Sequence, residues 1–320
     1  MLASIVIRAC NEEKHIARLL EGIAQQTVKG LETILVDSGS TDHTLEIASR
    51  YPVQVVHVQP EKFTFGYSLN QGIANAKGEM IVIASAHVYP VYPDWLEHLL
   101  APFADPQIAL AYGKQRGNSV TKYSEQQIFH TWYPDRSQPR QPYPFCNNAN
   151  AAIRRSLWEE NHYNEILSGL EDLEWAHRIM AKGYAIAYVA EAEVAHVHEE
   201  TPRGVYNRYR REAMAFKRLF PQEHYHIWDL MHNFTTNVAS DLWHAAQQHV
   251  LSAHFGDILW FRWMQFWGTY RGYRQSGPLT WQLRQTFYYP RGAHLADSST
   301  GRGVAPIQYK EIEQAPTHKR

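Results

Sequence analysis

The sequence predicts an α/β fold in which a mostly parallel sheet is flanked by helices and followed by an α-helical C-terminal extension. Short apolar strands alternate with helical segments over the first part of the chain, which is typical of a parallel sheet covered on both faces. From Trp228 to Tyr273 the apolar residues instead keep a helical spacing and are unusually aromatic. This second region is therefore expected to be helical.

The strands and helices of the first region follow one another in a regular order. Short continuous apolar runs indicate buried strands, and apolar residues at helical spacing indicate the helices between them. We expect Ser68 to cap the third helix and Gly78 to follow its end. The expected strands are 4–7, 33–36, 53–58 and 80–84, and the expected helices are 16–23, 44–49 and 68–76.

Polar loops follow three of these strands, at 9–13, 37–42 and 85–90. Ligands of such sheets bind at the carboxyl ends of the strands, so the three loops are expected to meet in one crevice. No GxGxxG motif follows the first strand, and no other glycine-rich phosphate loop is present. This argues against an oxidoreductase or nucleotidyltransferase of the Rossmann type.

The length of 320 residues favours one main domain with a substantial addition. We expect the main domain to cover 1–215 and a helical, aromatic-rich extension to cover 216–296. A polar tail at 297–320 is expected to be disordered. The proline-rich segment 133–145 is expected to form a surface loop.

Composition excludes several classes of protein. Lys and Arg number 31 against 32 Asp and Glu, for a net charge of -1, so no global field favours nucleic acid as a partner. Cys10 and Cys146 stand alone, so neither a disulfide framework nor a structural zinc site is expected. No signal peptide or membrane-spanning run is evident. We expect a cytoplasmic protein, either free or peripheral at the inner face of the cell membrane.

Several segments together resemble the landmarks of family 2 glycosyltransferases, in the same order along the chain. The stretch Phe-Thr-Phe-Gly-Tyr-Ser-Leu-Asn at 63–70 and Arg8 resemble the branch that includes bacterial rhamnosyltransferases. The landmark segments are Ser-Ile-Val-Ile-Arg-Ala-Cys-Asn-Glu-Glu (4–13), Ile-Leu-Val-Asp-Ser-Gly-Ser-Thr-Asp (34–42), Gly-Glu-Met-Ile-Val-Ile-Ala-Ser-Ala-His (78–87), Asn-Ala-Asn-Ala-Ala-Ile-Arg-Arg (148–155), Gly-Leu-Glu-Asp-Leu-Glu-Trp-Ala-His-Arg (169–178) and His196–His198.

The resemblance implies a GT-A fold and an inverting transfer of a sugar from a nucleotide-sugar donor to a hydroxyl group. The acceptor would be a glycan or a polyprenyl-linked glycan. It implies that Asp172 is the general base and that Glu171 or Glu174 orients the acceptor or neighbouring side chains. A pair of carboxylates can raise the pKa of one member toward a useful value. A non-catalytic nucleotide- or sugar-binding protein on the same fold is the alternative.

The first two loops carry the expected nucleotide contacts. Asp37 ends a strand and can accept hydrogen bonds from a ribose or a base edge, while Ala9, Cys10 and Glu12 line the same crevice by resemblance. Cys10 has no evident basic partner, so it is not expected to act as a nucleophile. Asp42 is better explained as a cap of the helix that begins near Thr44.

The third loop departs from the resembled family. Ser85-Ala86-His87 stands where that family usually places an Asp-x-Asp element that holds a divalent cation against the donor diphosphate. Either His87 and His196 hold a cation, Mn more readily than Mg, or His87 and nearby basic groups neutralise the phosphate directly. Alternating His196 and His198 share one face of a strand, and the resemblance favours His196.

Cationic and aromatic residues dominate the C-terminal part. Arg203, with Arg208, Arg210 and Arg211, either binds the donor or lipid-linked phosphates or forms a solvated helix face. The aromatic residues between Trp260 and Tyr270 are explained either by packing, within the chain or in a homo-oligomer, or by an interfacial helix that docks on a membrane.

Overall fold

A computed structural model describes residues 3–274 and 304–309, and all structural statements concern these residues. They contain one nine-stranded sheet flanked by helices. The strands are β1 (Ala3–Ala9), β2 (Glu32–Asp37), β3 (Gln54–His57), β4 (Met80–Ser85), β5 (Val88–Pro90), β6 (Ile108–Arg116), β7 (Gln138–Gln141), β8 (Asn150–Arg154) and β9 (Ala185–His196).

Ten α-helices accompany the sheet in the described residues, and none of them is both long and apolar enough to cross a membrane. Two short 3₁₀ turns lie at Pro60–Lys62 and Ala101–Ala104. The helices are α1 (Ile16–Ala24), α2 (Thr44–Ala48), α3 (Phe65–Ala74), α4 (Trp95–Leu100), α5 (Tyr123–Trp132), α6 (Arg155–Glu160), α7 (Glu171–Ala181), α8 (Pro202–Leu219), α9 (Ile227–Gln247) and α10 (Leu251–Tyr273).

The strand order explains how distant segments reach one edge of the sheet. The order is β3-β2-β1-β4-β8-β6-β9-β5, and β7 pairs with β9. The first four strands are parallel, whereas β8 is antiparallel to both β4 and β6. Strands β6 and β9 are parallel to each other. The carboxyl ends of β1, β2, β4, β6 and β9 therefore face the same edge, together with the amino end of β8.

The sheet is parallel in its first half and mixed in its second, which refines the expectation of a mostly parallel sheet. The physical reason is β8, which enters between β4 and β6 in the opposite direction. No apolar pattern distinguishes a buried antiparallel strand from a buried parallel one, because both faces are covered in either case. The expected α/β architecture with flanking helices is confirmed.

Both faces of β1 are buried, as expected for a central strand. Ile5 and Ile7 face a core shared with Leu19 of α1, while Val6 faces a second core with Leu69 of α3. The successive side chains of a strand point to opposite faces, so one continuous apolar run fills two layers.

Helix α3 begins one turn before its expected start. Thr64, and not Ser68, caps it: the Thr64 hydroxyl accepts a hydrogen bond from the Tyr67 N–H at 3.0 Å. Ser68 is fully buried on the inner face of the helix. Thr64 satisfies an N–H of the first turn that no residue within the helix can reach.

Helix α8 runs unbroken through residue 215, where the sequence predicts the end of the catalytic domain. The expected boundary at 215 and 216 therefore falls inside this helix, which begins at Pro202 and is the first helix of the C-terminal extension. Gly268 and Gly272 of α10 let that helix lie directly on the backbone of α8. A Cβ atom at Gly268 would approach the carbonyl oxygen of Tyr206 to 2.5 Å. The two helices pack as one unit.

Residues 304–309, within the segment expected to be disordered, lie against the sheet edge. The Ile307 N–H donates to the Val91 carbonyl at 3.0 Å, and the Tyr309 ring meets the Tyr89 ring edge-on. The Tyr309 hydroxyl donates to the Pro90 carbonyl. These six residues correct the expectation of disorder, and the rest of 297–320 lies outside the described residues.

Asn70 joins α3 to α6 and to the segment that follows it through four hydrogen bonds, three of them buried. Its amide donates to the Tyr163 carbonyl and to Glu165, and its oxygen accepts from the Trp158 indole and the Tyr163 N–H, all within 3.0 Å. We expect Asn70→Ala to lower the free energy of unfolding by about 2 to 4 kcal/mol, because two buried donors lose their acceptor. Chemical denaturation measures this. The exposed Asn75→Ala on the same helix is the control, and equal losses would contradict the assignment.

Candidate active site

Asp37, at the carboxyl end of β2, is buried and shapes the turn that follows it. Its carboxylate accepts from the N–H groups of Gly39 and Ser40 at 3.2 Å, and His57 Nδ1 lies 3.6 Å away. The glycine has a φ of 93°, which a residue with a side chain rarely adopts. Asp37 therefore holds an exposed, polar loop at the sheet edge.

The loop after β1 is tied to the loop after β2. Asn11, with a φ of 56°, accepts the Thr41 N–H through its side chain at 2.8 Å. Asp42 accepts from the N–H groups of Glu13 and Thr44, both at 3.0 Å. The expectation that Asp42 serves the start of α2 is thus confirmed, and the two loops form one wall of the crevice.

Cys10 and Ala9 lie on this wall in different ways. The Ala9 side chain is buried in the core, so only its backbone faces the crevice. The Cys10 side chain is exposed and unbridged. Partial burial, followed by Asp37, Asp42 and Glu12, raises the pKa of the Cys10 thiol. A thiol that resists ionisation is a poor nucleophile.

His87 lies at the far side of the same crevice and is joined to Glu12. The His87 Nδ1 and a Glu12 carboxylate oxygen are 2.8 Å apart. The preceding Ala86 is fully buried in the core, whereas Ser85 is half-buried at the end of β4. Of the Ser-Ala-His element, only the serine and histidine side chains are thus exposed to the crevice region.

Three imidazoles meet at the end of β9. The His87 and His196 rings stack with centroids 5.1 Å apart, and His198 lies 4.1 Å from His196 and 5.5 Å from His87. One ligand nitrogen from each lies within 4.8 Å of the others, a spacing that admits a single metal ion. Sequence reasoning preferred His196 to His198, and the structure brings both together with His87.

An acceptor holds the Nδ1 atom of each imidazole. Glu12 holds His87 at 2.8 Å, Gln115 holds His196 at 2.7 Å, and Glu125 holds His198 at 2.7 Å. These bonds leave the Nε2 atoms unused, and that of His196 is buried with no hydrogen-bond partner in the described residues. Such outer acceptors fix the tautomer and orientation of metal-binding histidines.

The electrostatics favour a neutral His196. Burial lowers its pKa well below the ordinary range, and the neighbouring His198, His87 and Arg208 act in the same direction. A neutral imidazole has a free lone pair for a ligand. His196 is therefore in its ligand-binding form at neutral pH.

Glu125 of α5 anchors the outer side of this cluster. Its oxygen lies 2.7 Å from His198 Nδ1 and 2.6 Å from the Arg208 guanidinium, which also pairs with Glu200 at 2.6 Å. Burial alone would raise the pKa of Glu125, but the Arg208 and His198 charges outweigh it and lower the pKa to about 2. Arg208 thus supports the histidine cluster from the helical extension.

Asp172 lies in the first turn of α7, and its carboxylate is held at both oxygens. It accepts from the Asn148 N–H at 3.1 Å and from the Leu173 N–H at 2.8 Å. Burial and then the neighbouring Glu171 raise its pKa to about 7, against the lowering effect of those two hydrogen bonds and of Arg8. A carboxylate with such a pKa can take up a proton near neutral pH.

Glu171 turns away from Asp172 toward Arg8. The Arg8 guanidinium lies 3.6 Å from the Glu171 carboxylate and over the Phe65 ring, and Asn148 donates to Glu171 at 3.4 Å. The two acidic residues therefore have different tasks: Glu171 is a buried partner of Arg8, and Asp172 faces open space.

That open space is a cavity of about 110 Å³. Asp172, His196 and His198 line it on one side, and α8 lines it on another. Its aromatic walls come from α5, the proline-rich loop and α8, namely Phe129, Trp132, Tyr133, Phe145, Tyr209 and Phe216. The cavity joins the carboxylate to the imidazole cluster.

Two other expected residues lie elsewhere. Glu174 pairs with Arg178 at 2.7 Å and does not line the cavity. Arg203 is exposed in the first turn of α8 and does not line it either. Of the arginine group, Arg208 lines the cavity and is buried in ion pairs, so the interpretation as a solvated face fails for it.

Sequence reasoning missed Gln115, Glu125, Asn148 and Glu212. Of these four, only Asn148 could have been predicted as a site residue, because it belongs to a landmark segment. The other three come from β6, α5 and α8, and single polar residues in these elements have nothing in their spacing that separates them from surface residues.

The chain is similar to known proteins over this part. Residues 4–161 match the family described as glycosyl transferase family 2. The O-antigen chain rhamnosyltransferase RfbN of Salmonella typhimurium is 28% identical over 222 residues, covering 65% of this chain and 70% of the relative. The O-antigen chain rhamnosyltransferase WbaN of Salmonella anatum is 31% identical over 196 residues, covering 58% and 62%. The chain thus spans about two thirds of the length of these relatives.

Solved structures share the fold. A mannosyltransferase from Pyrobaculum calidifontis, solved with GDP-Man and Mn2+, has a TM-score of 0.56 and 20% identity, covering 85% of this chain and 84% of that one. S. aureus TarS with UDP has a TM-score of 0.51 and 19% identity, covering 68% and 66%. At this identity the likeness concerns the GT-A fold. From the family match and the two rhamnosyltransferase relatives, we conclude that the chain belongs to glycosyltransferase family 2 and is a glycosyltransferase.

Proposed function

We propose that the protein transfers a deoxyhexose, rhamnose in the first instance, from a nucleotide donor to a hydroxyl of a growing surface glycan, with inversion at the transferred carbon. The observation that carries this proposal is Asp172, a carboxylate with a raised pKa that faces a cavity beside the histidine cluster. The names of the two rhamnosyltransferase relatives support the sugar and the O-antigen type of product.

On the donor side, the crevice between the loops of β1, β2 and β4 would hold the nucleotide. Asp37 would accept hydrogen bonds from the ribose or base, and the exposed backbone around Cys10 would follow the nucleotide. The Ser85 hydroxyl and Arg203 are proposed donor contacts at the phosphate side. The roles of Asp37, Cys10 and Ser85 follow from the common edge at which the strands end, whereas that of Arg203 follows from the sequence alone.

On the acceptor side, Asp172 would remove the proton of the attacking hydroxyl as the new glycosidic bond forms and the bond to the donor phosphate breaks. The proton passes to the Asp172 carboxylate, and the nucleoside diphosphate leaves with the bonding electrons. The two N–H groups that hold the carboxylate orient it. In this account Glu171 positions Arg8 and does not touch the acceptor.

The imidazole cluster fits a divalent cation. His87, His196 and His198 would hold it, with Glu12, Gln115 and Glu125 as outer partners. A three-imidazole donor set favours softer ions such as Mn over Mg. A bound cation would neutralise charge on the donor phosphates. The buried, unpartnered Nε2 of His196 favours this account over direct contact between protonated imidazoles and phosphate.

Attachment to the inner face of the cell membrane is part of the proposal, because a lipid-linked acceptor is held there. Trp228 and Trp243 of α9 are 78% and 65% exposed, and Trp263 of α10 is 38% exposed. Most of the remaining α10 face is packed, since Phe266 is buried and Arg262 forms a buried pair with Asp241 at 2.7 Å. Tryptophan side chains prefer the membrane interface.

We expect the full chain to sediment with anionic liposomes and the Trp228→Ser/Trp243→Ser variant to stay in solution, with both proteins folded by circular dichroism. The physical reason is the loss of two exposed indole rings from one surface. If the wild-type protein does not bind the vesicles, the proposal of membrane attachment is wrong. The proposed transfer reaction does not depend on this result.

The transfer reaction is tested with purified protein, nucleotide-activated rhamnose and lipid-linked or oligosaccharide acceptors. UDP-glucose and GDP-mannose serve as comparison donors, and NMR of the product determines the anomeric configuration. Thermal unfolding with UDP, GDP, dTDP and CMP, each with Mn, Mg or chelator, reports the nucleotide and the ion. A chain that binds nucleotide but transfers no sugar from any donor would favour a non-catalytic binding protein.

A further inference from the structure

Three carboxyl groups line the cavity: Asp172, the ion-paired Glu125, and Glu212 on a third element. Glu212 lies on α8, whereas Asp172 lies on α7, and both line the same space. The family match ends at residue 161, so this wall of the cavity belongs to the helical extension. The helical extension therefore contributes residues to the cavity wall, in addition to packing against the rest of the chain.

Glu212 has no hydrogen bond or ion pair with any residue in 3–274 or 304–309, although it is half-buried. Burial raises its pKa, and the charges of Arg208 and Arg211 only partly offset this. Its carboxylate oxygens are not among the fully buried atoms, so solvent or a ligand in the cavity can reach them, and half-buried polar groups usually have such a partner. The carboxyl group is free to bind whatever enters the cavity.

Asp172 and Glu212 share the cavity with the Tyr133 ring. Burial raises the pKa of the Tyr133 phenol far above its usual range, and both Asp172 and Glu212 contribute in the same direction. Trp132 and Phe145 adjoin Tyr133 in the cavity wall, and Trp132 meets Phe145 edge-on at 5.5 Å. Aromatic walls pack against the C–H faces of a ring while polar groups orient it.

We propose that Glu212 binds the acceptor sugar and selects which of its hydroxyl groups meets Asp172, a role that rests on the proposed transfer reaction. Asp172 takes the proton of the reacting hydroxyl, and Glu212 holds a neighbouring hydroxyl of the same ring by a hydrogen bond. The matching acceptor is a pyranose with a free hydroxyl next to the one that reacts. Glu212 is thus a specificity-determining residue supplied by α8.

The test compares Glu212→Gln and Glu212→Ala with wild type in steady-state transfer. We expect the KM for the acceptor to rise about tenfold to hundredfold in Glu212→Ala, since a buried hydroxyl loses its partner. The thermal shift given by the nucleotide stays unchanged, and NMR of the product shows mixed linkages. Glu160→Gln, at an exposed glutamate of α6, is the matched control and should behave as wild type.

An acceptor analogue that lacks the neighbouring hydroxyl sharpens the test. It should raise the KM of the wild type but cause no further loss in Glu212→Ala, because the same hydrogen bond is already missing. An unchanged acceptor KM together with a single, unaltered linkage in Glu212→Ala would overturn the proposal.

A second experiment distinguishes failure of the proposed transfer reaction from failure of the proposed role of Glu212. If the wild type transfers no sugar, binding of methyl glycosides of glucose, galactose, mannose and rhamnose is measured by saturation-transfer NMR. Binding to the wild type that is lost in Glu212→Ala supports the site on its own. Binding that is equal in both proteins, or absent from both, overturns it.

Discussion

Replacing Asp172 with Asn is expected to lower kcat for sugar transfer by about 10³-fold, a loss typical of a missing general base. The amide keeps the size of the carboxylate but cannot take the proton of the acceptor hydroxyl. The proposed nucleotide crevice lies at the loops of β1 and β2, so nucleotide affinity should change little. Initial rates and nucleotide thermal shifts measure the two effects.

Asp105→Asn is the control for this change. Asp105, like Asp172, accepts a hydrogen bond from a nearby backbone N–H. It pairs with Arg140 and lies outside the cavity lining. It should keep wild-type turnover. If Asp172→Asn retains turnover, Asp172 is not the general base, whatever the effect of the change on nucleotide binding.

The pH dependence of kcat follows from the same carboxyl group. The base must be deprotonated, and the pKa of Asp172 is raised to about 7. Activity should therefore be low in acid and rise with pH through about 7 to a plateau. An ordinary aspartate would place this rise near pH 4. A flat profile between pH 5 and 8 would argue against an essential base with a raised pKa.

Removing the metal is expected to produce the other large effect. Chelator should lower transfer at least about 100-fold, and Mn should restore it better than Mg. His196→Gln should weaken the affinity for Mn by at least about 100-fold. Mutation of a residue that only orients a metal ligand already lowers metal affinity by about 10- to 100-fold, and His196 is a proposed ligand itself. Calorimetric titration with Mn and rate measurements test this.

His43→Gln provides the matched control, because His43 is exposed and paired with Glu13 outside the cluster. It should bind Mn and turn over as the wild type does. Full activity in chelator, with no ion shifting the melting temperature, would show that the three imidazoles act without a metal. The structure would then assign them to direct contact with the donor phosphates.

Local patterns sufficed for much of the sheet and for part of the site. Apolar runs placed β1, β2 and β4 to within a few residues, because burial on both faces requires such runs. The run of β3 also placed that strand, although β3 is a largely exposed edge strand. The carboxyl-end rule then located the crevice. Asp172, Glu171 and His87 came from the landmark segments, and the structure brings Asp172 and His196 to one cavity.

What the sequence by itself determined is therefore the α/β class, the order of its elements and the landmark residues of a family 2 glycosyltransferase. Only the tertiary structure decided that β8 runs antiparallel between β4 and β6. It alone paired Glu125 with His198 and brought Glu212 to the same cavity as Asp172. The physical reason is the separation of these residues along the sequence. Periodicity and capping depend on neighbours a few residues apart, whereas these contacts form when helices and strands 40 to more than 70 positions apart pack together.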